Sequence, residues 1–116
     1  MKFKKVGIGK KKIKVEVADS FFKKIKGLMF RDSLPRNSGM LFMFDYEEYQ
    51  SIWMVGMRFP LDIIWIDKER GIVDFVENAK PSFNVYTPKK KAKYALEVNA
   101  GFVKKNKIRI GSSIKL

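Results

Sequence analysis

A chain of 116 residues with net charge +13, 46% hydrophobic residues and neither Cys nor His has room for one ordinary domain with a real core. The missing Cys excludes disulfides, thiolate metal sites and cysteine nucleophiles; the missing His excludes imidazole ligands and any histidine base. Ten Phe, four Tyr and two Trp exclude a disordered chain.

Residues 2–6 read as one arm of a hairpin, turned by Gly7 and Gly9 around Ile8 into a strand over 11–17, where Ile13, Val15 and Val17 alternate with Lys12, Lys14 and Glu16. Asp19 is placed to cap a short helix with Phe21, Phe22, Ile25, Leu28 and Met29 at helical spacing, and Gly27 ends or loosens it. Turn chemistry over 35–39 precedes an apolar run, 40–44, of strand length and covered on both faces. Residues 51–55, 61–66 and 72–77 are further strands, and 67–71 is the hairpin loop joining the last two, with Gly71 supplying a positive φ. Pro81 and Pro88 frame a long polar loop over 80–91 carrying Phe83 and Tyr86. Tyr94, Leu96 and Val98 mark a strand, 101–106 a helical turn, and 108–116 a last strand broken at Gly111. Some seven short strands and one or two small helices predict a mainly β (α+β) fold, an antiparallel sandwich or barrel spanning 1–116 as one domain without internal repeats.

Asp62 opens an otherwise apolar strand, where a carboxylate must be solvated, paired or hydrogen-bonded. It can couple with Glu97 or Asp67 as acid and base or hold a hard cation, or it can accept backbone N–H groups in a tight connection. Asp67 reads as a turn cap. Glu97 and Asn99 lie at a strand end beside Gly101, fit for a ligand contact or for a turn. Arg31, one of five Arg, either pairs with Asp32 or binds an anion. Trp53 and Trp65 occupy strands, where an aromatic ring is core or a ligand platform. Met40, Met43, Met54 and Met57 read as gap fillers.

Twenty of the 25 basic residues are Lys, a hydrated point charge suited to general attraction of polyanions such as RNA or DNA rather than to bidentate reading of bases. Lys10, Lys11 and Lys12 with Lys89, Lys90, Lys91 and Lys93, near Tyr86, can form one basic face; equally they are solvated loop residues that serve solubility. No phosphate-loop, helix-turn-helix or zinc-finger pattern accompanies them, so neither a cofactor nor a metal is expected. A Lys-rich chain without Cys also fits adaptation to high temperature. The basic N-terminal stretch lacks the apolar core of a secretion signal and no run approaches a membrane span, which places the chain in the cytoplasm as an expectation.

The segments 27-GLMFRDSLP-35, 39-GMLFMFD-45, 53-WM-54, 60-PLDIIWID-67, 71-GIV-73, 77-ENA-79 and 96-LEVNAG-101 together resemble the prokaryotic domain-of-unknown-function family 192, from about Val15 to the C-terminus. That resemblance implies a mainly β domain of sandwich or jelly-roll-like type with one short N-terminal helix, and no established activity. Many members carry an export signal and a Cys-containing loop at the place of 81–88, and this chain shows neither. Within the shared pattern, 27–29 and 60–62 are the first candidates for a common site. The reading that follows is a non-enzymatic module binding a small polar ligand or peptide through Trp53, Asp62, Glu97, Asn99 and Arg31 gathered at one rim. The alternatives are a nucleic-acid-associated protein working through the Lys clusters, and a carboxylate-based or metal-dependent hydrolase centred on Asp62.

Overall fold

In the computed structural model, which describes residues 2–116, the alternation at the start of the chain becomes an antiparallel hairpin of β1 (Phe3–Ile8) and β2 (Lys11–Ala18). Val6, Ile8, Ile13 and Val15 are buried on one side, and Lys5, Lys12 and Lys14 face solvent on the other. Ser20, not Asp19, caps α1 (Phe21–Lys26): its Oγ accepts from the Lys23 N–H at 3.3 Å. Asp19 instead accepts from Lys2 Nζ at 2.9 Å. Residues 19–37 form a crossover that brings β3 (Ser38–Glu48) alongside β2 in parallel, a pairing that a tight turn cannot make.

β4 (Ile52–Trp53) is shorter than the strand expected over 51–55, whereas β5 (Leu61–Ile66) and β6 (Ile72–Ala79) form the expected hairpin. The positive φ of their loop falls on Arg70 (71°) rather than Gly71, because Asp67 Oδ1 accepts from the Glu69 and Gly71 N–H groups and winds the loop around itself. The 80–91 loop contains β7 (Val85–Tyr86), which pairs with β4. β8 (Ala92–Asn99) leads directly into α2 (Phe102–Lys105). Of the strand expected over 108–116 only β9 (Ile114–Lys115) forms, since Gly111 at φ 96° turns the chain before it.

The fold is mainly β: one seven-stranded sheet in the order β6-β5-β8-β3-β2-β1-β9, with β4-β7 as a separate ribbon. The sheet curls until its edges touch, as Ile72 N donates to Ser112 O (2.8 Å) and Ile114 N to Arg70 O (2.9 Å). The barrel half of the sequence-based expectation describes this curl; two facing sheets of a sandwich or jelly roll are not what the strand order builds.

The inner face carries one core, contributed by every strand of the sheet, among them Ile8, Leu41, Ile64, Ile72, Leu96 and Ile114, and closed by Val103 of α2. The outer face is not left to water. Met40, Phe42, Ile63, Trp65 and Ala95 form a second core there with Leu28, Leu34, Met54 and Met57 from the connections 19–37 and 49–60. Each fully buried apolar side chain stabilises by about 1.5–3 kcal/mol, so both layers matter to folding. No helix among the described residues is long and apolar enough to cross a membrane.

At Gly39 β3 lies close against β8. A Cβ there would lie 2.7 Å from the backbone carbonyl oxygen of Glu97, which cannot yield without breaking the ladder. Gly39→Ala is expected to cost about 2–3 kcal/mol, read as a lower urea midpoint at unchanged slope.

Candidate functional site

Along β8 the side chains alternate: Leu96 and Val98 enter the inner core, while Ala95 and Glu97 face the outer layer. Register sets Glu97 between Met40 of β3 and Ile63 of β5, with no polar side chain on either flank. Above it the chain leaves α1 at Gly27, φ 48°. A Cβ at this position would meet Phe42 Cζ at 3.1 Å and stand 3.8 Å from Glu97 Oε1, so a side chain there would press on the Phe42 ring beside the carboxyl. Glu97 is 3% exposed, and its Oε1 is buried without a hydrogen-bond partner. Burial pushes the carboxyl up to about 8, which keeps it mostly protonated at neutral pH.

Glu97 lies in the lining of a half-open cleft of about 320 Å³ between the connections and the sheet. α1 contributes Phe21 and Ile25, β3 contributes Phe42 and Phe44, and the ribbon contributes Trp53 and Val85. The Phe42 and Phe44 rings are nearly parallel, 15° apart, with centroids separated by 6.4 Å. Lys24 and Lys26 supply the only cations of the lining, and Lys24 Nζ stands 5.3 Å from the Phe44 ring centroid. An apolar, aromatic-walled cleft with one buried polar group is the arrangement that holds a small molecule and orients it by a hydrogen bond.

Of the residues expected from sequence, the structure brings Trp53 and Glu97 together and separates the others. Trp53 is half-exposed in the cleft, while Trp65 is fully buried with its Nε1 donating to Gln50 O at 2.7 Å. Asp62, by the alternation of β5, faces the inner side of the sheet, away from Glu97, and both its oxygens are taken: Oδ1 accepts from Asn78 N (2.8 Å), Oδ2 from Val103 N (2.9 Å). It therefore makes no couple with Glu97, and Asp67 is occupied by its own loop. Arg31 pairs with Glu16 through two hydrogen bonds, one of 2.9 Å, rather than with Asp32, which takes Arg58 at 2.8 Å. The Glu16 carboxylate raises the Arg31 pKa above its ordinary value and leaves that guanidinium engaged. Asn99 donates to Leu34 O at 2.9 Å and lines a second, more polar cleft of about 400 Å³ with Lys11, Arg36 and Lys105.

The Lys clusters do not share a face. Lys14 stands opposite Ser38, and Gly39 opposite Val98, which sets Lys10, Lys11 and Lys12 at the Asn99 end of the sheet. Ala92 stands opposite Glu48, so Lys89, Lys90, Lys91 and Lys93 lie at the other end, about 25 Å away along an eight-residue strand. Among the described residues, no three of Asp and Glu gather into a cluster that could hold a metal ion.

Sequence reasoning singled out 27–29 but not Phe42, Phe44 or Lys24. The signal available was parity: Met40, Phe42 and Phe44 share one side of β3, the side that the crossover covers. Four of the segments quoted for the family resemblance, those at Gly27, Phe42, Trp53 and Glu97, meet in the cleft, and two others meet where Asp62 holds Asn78.

The family profile DUF192, described as "Uncharacterized ACR", matches residues 4–116. A UPF0127 protein of Thermococcus kodakarensis is 35% identical over 103 residues, 87% of this chain and 63% of that protein; one of Pyrococcus abyssi is 33% identical over 104 residues, 88% and 85%. The chain thus spans under two thirds of the Thermococcus relative's length. Among solved structures, a Sinorhizobium meliloti protein described as a "putative transcription regulator" superimposes with TM-score 0.89 at 28% identity, covering 96% of this chain and 89% of that one. A protein of unknown function from Novosphingobium aromaticivorans gives 0.87 at 25% identity, covering 97% and 82%.

Proposed function

The chain belongs to the DUF192 (UPF0127) family, and within it we propose a non-enzymatic binding module whose cleft over Glu97 takes a small ligand, or a peptide side chain, with an apolar body and a hydrogen-bonding head. The observation that carries this reading is the Glu97 Oε1, buried in the lining of an apolar cleft with no partner from the protein. Leaving a buried acceptor unmet costs about 1–3 kcal/mol, and a bound donor would recover it. The convergence of four separated family segments on the same cleft supports the same reading. No second acid or base lines the cleft beyond the two lysines, so the site suits recognition better than proton transfer.

A Lys-rich nucleic-acid module is less well supported, despite the description of the Sinorhizobium neighbour, because the two clusters lie at opposite ends of the sheet. A hydrolase centred on Asp62 is unsupported, because that carboxyl group is buried and each of its oxygens accepts from a backbone N–H group.

The test is a titration of the ¹⁵N-labelled protein with a broad set of soluble fragments at millimolar concentration. Binders are expected to move the Gly27, Met29 and Trp53 indole resonances and leave Lys115 unmoved. If no fragment shifts the cleft signals, the binding reading is wrong.

A further inference from the structure

We infer that the cleft selects a planar ring whose edge sets an N–H donor beside an acceptor, as in a cyclic amide, and whose opposite side carries an anionic group. The inference rests on the binding reading above and specifies its ligand. The lining of the cleft holds a single carboxyl group, whose Oε1 meets no donor from Met40, Ile63, Phe42 or Gly27 around it. A carboxylic acid carries one O–H donor and one carbonyl acceptor in one plane, and a cyclic amide edge matches both at once through two parallel hydrogen bonds. Burial that keeps Glu97 protonated near neutral pH agrees with this neutral pairing.

A cationic ligand is the other chemistry that a buried acid invites. Here it would enter a protein of net charge +13 past Lys24 and Lys26, with no other carboxylate in the lining to attract it. The same two lysines favour an anionic substituent left outside. The aromatic lining, with the nearly parallel Phe42 and Phe44 rings and the half-exposed Trp53, suits a flat ring better than a branched chain.

Isothermal titration calorimetry with three probes tests the assignment: a pyridone carboxylate with ring N–H and C=O adjacent and the carboxylate across the ring, its N-methyl derivative, and benzylamine. The pyridone acid is expected to bind about tenfold or more tightly than the N-methyl compound, which leaves a buried polar group unpaired. Glu97→Gln, whose amide keeps a donor beside an acceptor, is expected to hold affinity within about threefold, whereas Glu97→Leu erases the preference. Lys24→Glu with Lys26→Glu is expected to weaken the acid by about tenfold, and less so at high salt. Preference for benzylamine that disappears in Glu97→Gln would mean an ionised carboxylate and a cationic ligand; it would overturn the inference and leave the binding reading intact. Failure of all three probes while other fragments still shift the cleft overturns the inference alone, and failure of every fragment removes both.

Discussion

Asp62→Ala is expected to lower the unfolding free energy by about 4 kcal/mol, the range seen when a buried carboxylate is taken from its hydrogen-bond partners. Asp62 is 0% exposed, and its two oxygens hold Asn78 N of β6 and Val103 N of α2. Removing the carboxyl leaves the buried Val103 N–H without an acceptor and unties the N–H of Asn78, an exposed residue of β6, from the sheet's inner side. It also releases the short helix that closes the inner core, because α2 has no side-chain N-cap of its own. Asp62→Asn is expected to recover little, since the amide NH₂ must face one of two N–H donors. Urea unfolding followed by Trp fluorescence reads the loss; a cost below about 1 kcal/mol would show that α2 is held by Val103 packing alone.

Glu97→Gln is expected to stabilise the protein, and by more at high pH than at low. An ordinary glutamate titrates near 4.5, the value that applies to the unfolded chain, and the folded carboxyl near 8. Between these values the folded state holds a proton that the unfolded state has lost. The sign follows: the stability of the parent protein falls as pH rises from about 4.5 to 8 and is level on either side. At about 1.4 kcal/mol per unit the whole window amounts to roughly 5 kcal/mol. The Gln variant has no such slope, so the two melting curves should nearly coincide at pH 4 and stand furthest apart at pH 9. Parallel profiles across that range would mean that Glu97 reaches solvent and that the carboxyl in the lining of the cleft is not the buried group described here. The same substitution keeps the donor and acceptor needed for the ligand inferred above, which separates the stability effect from recognition.

Strand identities were readable because alternation is a local property. Ile13, Val15 and Val17 declare a half-buried strand wherever it packs, and residues 61–66 and 72–77 with a polar link between them declare a hairpin. Helix α1 shows where local pattern misleads. Phe21, Phe22 and Ile25 have helical spacing, yet Phe22 is 81% exposed and Phe21 70%, because a six-residue helix on a crossover leans on a cleft rather than on a filled core. The expected gathering of Trp53, Asp62, Glu97, Asn99 and Arg31 at one rim fails for a related reason. The strands of Asp62, Glu97 and Asn99 are adjacent, but parity sends Asp62 to the other side of the sheet and Asn99 to its end, while Arg31 sits on the crossover, held by Glu16.

Composition and alternation by themselves determined that this chain is mainly β, that it can supply a real core, and that no His or Cys chemistry is open to it. They could not tell Asp62 from Glu97, each a lone acid in an apolar strand. Only the folded sheet decides between them. Asp62 meets N–H groups contributed 16 and 41 residues further along the chain, whereas Glu97 one strand away meets none. Hydrogen-bond satisfaction of a buried acid depends on which distant backbone groups arrive beside it, and that is settled by sheet closure and crossover, not by neighbours in sequence.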